Sequence, residues 1–237
     1  MREIGEEDMK VIVMNSGGKD SIAAIQYALQ QGWEVEALVA IKPKNTEAYL
    51  WHYATVEWTM LQAEAMGIPI ILAKTDEIGS RDEANVLENI FGRLKAEAVL
   101  LGGVGLQATQ IKEVTRVAKK FGKNVIVPFA NLTSEQMLDY EIKQGFDIRI
   151  TDVATDGLGP EWLGKRLDFE TIIDFKNLSG KFGFDPLGEG GYYNSFVVDA
   201  PFFKQRIEFL DEEKIWDNKT SSGYLEVKDA ELKEKSS

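Results

Sequence analysis

The segment from Lys10 to Ser21, KVIVMNSGGKDS, restricts the possible folds more than any other stretch of the 237 residues. Its β-branched run, Lys10 to Met14, reads as a short buried parallel strand. Asn15-Ser16-Gly17-Gly18 then permits a tight turn. From Asp20 on, DSIAAIQYALQQG sets Ile22, Ile25, Ala28 and Leu29 on one helix face until Gly32 stops the helix. A strand that passes through glycines straight into a helix is the opening of a β-α-β unit. The N–H groups of the first helical turn, at the positive end of the helix dipole, form an anion site. Gly17 and Gly18 let the backbone approach phosphate oxygens, and Ser16 and Ser21 add hydroxyl donors. Lys19 brings a positive charge suited to developing pyrophosphate. Asp20 would repel phosphate unless a cation intervened, which makes it a candidate Mg2+ ligand. The plainer alternative is a glycine turn followed by a solvated first helical turn. The loop is neither Gly-x-x-x-x-Gly-Lys-Ser/Thr nor Gly-x-Gly-x-x-Gly.

The same rhythm continues. Val35 to Ile41 reads as a second strand, Tyr49 to Met66 as a long helix closed by Gly67, and Ile68 to Ala73 as a third strand. Asp82 to Lys95 reads as a helix, Ala98 to Gly103 as a strand, 109–121 as a helix, and Asn124 to Val127 as a strand stopped by Pro128. This order predicts an α/β fold, a five-stranded parallel sheet with helices on both faces, plus a smaller α+β part. After Pro128 the pattern changes. Thr133 and Gln136 read as a capping box opening a helix to about Gln144. Phe146 to Val153 alternates like a half-exposed strand. A short helix is expected at Trp162 to Arg166 and another at Glu170 to Lys181. Ser195 to Val198, Lys204 to Phe209 and Tyr224 to Val227 look like antiparallel strands, and Glu226 to Ser237 like a frayed tail. The expected division is 1–128 as one domain and 129–237 as a second.

Composition excludes several chemistries. With no cysteine and one histidine, the chain has no disulfide, thiolate zinc site, iron–sulfur ligation or multi-histidine metal centre. The acidic start MREIGEEDMK has no apolar core, so no signal peptide is expected, and no apolar run is long enough for a bilayer. A cytoplasmic protein with no membrane partner is the expectation. Lys+Arg total 27 against 39 Asp+Glu, a net charge of −12, which argues against direct nucleic-acid binding.

SGGKDS resembles the PP-loop of the N-type ATP pyrophosphatases, enzymes that split ATP to AMP and pyrophosphate. The resemblance implies ATP on residues 16–21, adenylation of a carbonyl or carboxylate, and attack by ammonia, an amine or sulfur. The absence of cysteine argues against sulfur relay and favours amide formation.

A further resemblance spans about residues 10–230. Gly188-Glu189-Gly190-Gly191 followed by Phe196-Val197-Val198-Asp199-Ala200-Pro201-Phe202-Phe203 resembles the signature of the diphthine–ammonia ligase family. So do Glu47-Ala48-Tyr49-Leu50-Trp51-His52, the stretch Leu61 to Pro69, Gly157-Leu158 with Trp162-Leu163-Gly164, and Thr220-Ser221-Ser222-Gly223. That family amidates diphthine, a modified histidine on elongation factor 2, with ATP and ammonium. The resemblance implies Lys19, Asp20 and Glu189 as catalytic residues, and His52, Gly188, Glu189, Gly190, Gly191 and Asn194 on the substrate side. Glu189 would orient ammonium, accept its proton or meet a cationic substrate; as a plain turn carboxylate it would cap nearby N–H groups. His52 stands beside nucleotide or substrate, or else stacks on Trp51 and Tyr53 as a half-buried helix residue. Two departures stand out. Position 192 is Tyr192 where the family reads Glu, and Val104 to Glu113 lacks the family's tyrosine–glutamine pair and arginine. A diverged enzyme acting on another small carboxylate, and a non-catalytic nucleotide-binding module, are the alternatives. A homodimer stays open.

Overall fold

Burial sorts the first strand by parity. In the computed structural model, which describes residues 9–44, 55–77 and 79–235, β1 (Lys10–Met14) sends Val11 and Val13 into one apolar cluster and Ile12 and Met14 into another. A strand that buries both faces needs cover on each. On the first side stand α1 (Lys19–Gln30), through Ile22, Ile25 and Ala28, and α2 (Thr59–Met66), through Ala63 and Ala65. On the second stand α3 (Ser80–Phe91), through Leu87 and Phe91, and α4 (Ala108–Lys120), through Val114 and Val117.

β2 (Glu34–Pro43), β3 (Ile70–Thr75), β4 (Ala98–Leu100) and β5 (Asn124–Ile126) complete a five-stranded sheet. Its order is β3-β2-β1-β4-β5 and every pairing is parallel. The chain builds outward from β1 on one side, then returns to lay β4 on the other. The crevice above β1 and β4 is thus a topological switch point, where open α/β sheets hold ligands.

The capping box forms as the sequence predicts: Thr133 and Gln136 bond reciprocally at the start of α5 (Ser134–Lys143). Beyond it, β6 (Asp147–Val153), β7 (Arg166–Leu167), β8 (Tyr193–Asp199), β9 (Gln205–Asp217) and β10 (Ser222–Glu234) form an antiparallel sheet beside α6 (Ile172–Phe182).

Several local expectations are corrected. Glu226 to Lys235 is not a frayed tail, and Ser236 and Ser237 lie outside the described residues. β10 pairs with β9 from Ser222↔Asp217 to Glu234↔Gln205, and Lys233–Glu208 closes at 2.6 Å across the hairpin. The polar sequence hid a strand whose backbone is satisfied by its neighbour and which buries Leu225 and Val227. β6 is mostly buried rather than half-exposed, because β8 lies on one side of it and β7 and β10 on the other. The helix expected at Trp162 to Arg166 is a 3-10 turn, Pro160–Trp162, ended by extended Leu163 and by Gly164 at φ +74°. The long second helix begins only at Thr59, after Thr55 at φ +60° and a 3-10 turn at Val56–Trp58. Tyr49, Trp51, His52 and Tyr53 lie outside the described residues. Trp58 packs as a core residue and donates to the Val227 carbonyl at 3.2 Å.

Candidate active site

The loop between β1 and α1 is held from three sides. Asn15, on its inner side, accepts the Gly17 N–H at 3.0 Å through Oδ1 and donates through Nδ2 to Gln62 Oε1 at 3.3 Å. Gln62, fully buried on α2, donates to the Gly17 carbonyl at 2.9 Å and to the Val197 carbonyl at 2.8 Å. Val197 of β8 donates back to the Gly17 carbonyl at 2.9 Å. Gly17 sits at φ +87°, and a Cβ there would stand 2.7 Å from the Phe196 ring. Both conformation and space therefore call for glycine.

Gly18 is the N-cap of α1, so the next N–H groups have no intrahelical acceptor. Lys19 N–H points toward Ser195 Oγ at 3.4 Å, and Gly18 N–H toward Ser16 Oγ at 3.4 Å. Ser21 Oγ lies 2.8 Å from the Gly18 carbonyl and 3.0 Å from Asn15 Oδ1. This end of α1 opens onto a cleft of about 620 Å³, counting its open mouth. Ser16, Asp20 and Ser21 form its polar wall, with Gln107 and Gln110 opposite. Val39, Ile41, Val56 and Leu101 give it an apolar end. A polar loop at a helix N-terminus beside an apolar slot suits a phosphate chain carrying a flat base.

Lys19 is placed differently from the sequence expectation. Its ammonium is buried, donates to Asp20 Oδ2 at 2.9 Å and to the Leu187 carbonyl at 2.7 Å, and lies 5.1 Å from the centroid of the Tyr193 ring. It does not line the cleft. Burial works against its charge, but Asp20 foremost, with Tyr193 and Glu141, holds its pKa well above the usual range. Lys19 thus ties the loop to the 185–189 segment.

That segment is a glycine turn, with Gly188, Gly190 and Gly191 all at positive φ. Gly188 N–H donates to the Asp185 carbonyl and Gly191 N–H to the Gly188 carbonyl. Asp185 Oδ1 accepts from Leu187 and Glu189 N–H. The turn delivers Glu189 to the loop: a Cβ on Gly103 would stand 3.1 Å from Glu189 Oε1 and 3.9 Å from Asp20 Oδ1. Burial first, then the charge of Asp20, pushes the Glu189 carboxyl up to about 7. Glu189 also takes a hydrogen bond from Gln107, which lines the first cleft. On its other side Glu189 borders a second, open groove of about 1010 Å³ with Leu106, Phe184, Asp185 and Tyr192. Glu189 thus lines the second groove and reaches the first cleft only through Gln107.

The sequence reading missed Glu141. It is fully buried on α5, among Met137, Leu138 and Ile142, and reaches Lys19, Asp20 and Tyr193. Burial and then the Asp20 charge raise its pKa well above the carboxylate range. A carboxylate at a core position of the 137, 138, 141, 142 stripe was the available signal. Gln62 and Asn15 were also missed. Asn194, expected on the substrate side, lines neither cavity; it pairs across strands with Asp152 and its side chain bonds that carboxyl. Its neighbour Ser195 meets the loop instead.

Asp20 Oδ1 is buried without a hydrogen-bond partner at the cleft edge. One free carboxylate oxygen beside a phosphate loop fits Mg2+, which keeps waters and shares phosphate oxygens. Among the described residues no group of three or more His, Asp or Glu could hold a metal by itself. No helix among them is long and apolar enough to cross a membrane.

Two family models match, diphthamide synthase N-terminal domain over residues 9–125 and diphthamide synthase C-terminal domain over 133–232. The chain is similar to a diphthine–ammonia ligase of Schizosaccharomyces pombe, 29% identical over 93% of this chain and 39% of the relative. It is also similar to the diphthine–ammonia ligase of Homo sapiens, 28% identical over 84% of this chain and 82% of the relative. The chain thus spans less than half of the yeast protein and most of the human one. A solved structure from Methanocaldococcus jannaschii, described as a "predicted subunit of tRNA methyltransferase", is 13% identical with a TM-score of 0.48, covering 81% of this chain and 98% of that one.

Proposed function

Since the chain belongs to the diphthamide synthase family and is an enzyme of diphthine–ammonia ligase type, we propose that it is an ATP-dependent amide ligase joining ammonia to the carboxylate of diphthine on elongation factor 2. The observation that carries this reading is one hydrogen bond between the two cavities: Gln107, which lines the phosphate-type cleft, donates to Glu189, which lines the open groove. A reaction between a nucleotide and a second substrate needs two sites that touch at one point.

Bound ATP supplies the adenylyl group that activates the carboxylate, with pyrophosphate leaving and AMP released when ammonia attacks the acyl carbon. Residues 16–21 cradle the phosphates through first-turn N–H groups and hydroxyls. Asp20 Oδ1 is the oxygen placed to hold Mg2+ together with those phosphates. Lys19 fixes Asp20 and the 185–189 turn rather than contacting the cleft, and Glu141 lies near Asp20. Glu189, with a pKa near neutrality, is placed to take the proton that ammonium sheds. In this reading residues 1–128 bind the nucleotide and 129–237 the acceptor, and the protein works in the cytoplasm with its elongation factor substrate.

The test is incubation with ATP, Mg2+, ammonium and diphthine-bearing elongation factor 2. AMP and pyrophosphate should appear in step with amidated factor. If pyrophosphate release is the same with and without that factor, the acceptor assignment fails.

A further inference from the structure

A third cavity lies between β6, β8 and β9, about 530 Å³ with its open mouth. It shares no lining residue with the two cavities above. Val198, Ile207 and Phe209 give it an apolar wall, and Arg149 and Arg206 enter it from β6 and β9. Three arginines surround one buried carboxylate beside it. Asp147 lies 3.0 Å from Arg149 Nε, 3.4 Å from Arg166 Nε and 3.8 Å from Arg206 Nη2. Arg166 is shared with Asp168 at 3.5 Å, and Arg149 also reaches the Gly164 carbonyl at 3.5 Å.

One carboxylate cannot satisfy the donors of three guanidinium forks. The Nε–H groups of Arg149 and Arg206 are buried, and neither finds a hydrogen-bond acceptor among the described residues. The Arg149 Nε approach to Asp147 is an ion pair, too far off the N–H direction for a hydrogen bond. Turning Arg149 onto Asp147 would satisfy that pair and still leave Arg206 Nε orphaned. A buried orphan donor is costly until an acceptor arrives, so the missing partner is an acceptor. A carboxylate is matched by a single fork, whereas two converging forks suit a tetrahedral oxyanion with oxygens for both. Of the carboxylates lining the cavity, Glu208 is engaged by Lys233 at 2.6 Å, and Glu212 stands exposed at the rim. We propose that this cavity binds a phosphate group, free or as a monoester, through Arg149 and Arg206, the body of a monoester lying on Val198, Ile207 and Phe209.

The test titrates inorganic phosphate and phenyl phosphate into the full chain. The Nε–H resonances of Arg149 and Arg206 are followed by 1H–15N NMR, against sodium chloride at matched ionic strength. Both resonances should shift and saturate with phosphate and stay put in chloride. Phenyl phosphate tighter by about five-fold or more would assign the monoester, since it uses the apolar wall; equal affinity would assign free phosphate. Arg206→Lys keeps the charge and loses the fork, and should weaken phosphate about 10-fold. Its denaturation midpoint should hold, because the Arg206 side chain is 41% exposed. Glu212→Gln removes the rim charge and should tighten phosphate about three-fold. Arginine shifts no larger than in chloride, or an affinity unchanged in Arg206→Lys, would overturn the proposal and leave water as the partner. Phosphate shifts confined to residues 16–21 would overturn it too, and would assign the anion to the loop between β1 and α1.

Discussion

The ammonium of Lys19 donates to the carbonyl oxygen of Leu187 at 2.7 Å, across 168 residues of sequence. Through that bond the phosphate loop and the Glu189 turn become one body. The motif lysine therefore holds the second half of the site against the first.

Lys19→Met should separate the two halves. It removes a buried charge from Asp20 and the donor from the Leu187 carbonyl, a loss of about 3 kcal/mol. Chemical denaturation should show that drop, and AMP formation should fall about 100-fold or more. Unchanged stability with lost activity would place Lys19 in the cleft instead.

Gln62→Leu should damage the loop without touching the cleft lining. It leaves the Gly17 and Val197 carbonyls short of a buried donor, a cost of about 2 kcal/mol. ATP affinity measured by calorimetry should weaken along with the denaturation midpoint. An unaltered affinity would show that the loop keeps its shape unaided.

Glu189→Gln keeps the shape of the side chain and removes its proton chemistry. Amide formation should slow by about 100-fold, while the KM for ATP stays within about two-fold. Equal losses in kcat and ATP binding would mean that Glu189 serves the nucleotide.

Asp152 predicts a pH-dependent stability. Burial raises its pKa from the usual value to about 6, the Asn194 hydrogen bond offsetting this only in part. The folded state thus holds its proton more tightly than the unfolded chain does. Stability from this group is complete below about pH 4, is lost as pH climbs through about 6, and stays lost above. Asp152→Asn should be more stable by about 3 kcal/mol at pH 7 and should flatten that part of the curve, as thermal melts from pH 4 to 8 would read.

The parallel sheet and its loop were legible because their signals are local. β1 declares itself in five residues, Gly17 and Gly18 in two, and α1 in the spacing of Ile22 and Ile25. The hairpin of β9 and β10 was not, since alternating charged residues look alike in a solvated tail and in a strand satisfied by its partner.

The sequence alone determined that residues 16–21 would turn from strand into helix, because turn and helix start are set by neighbours in the chain. Only the tertiary structure decided what those residues meet. Packing brought Gln62 beneath the loop, Ser195 and Phe196 against it, Glu141 near Asp20, and Glu189 to Gln107. No periodicity records such contacts, because each depends on which apolar faces of distant elements bury one another.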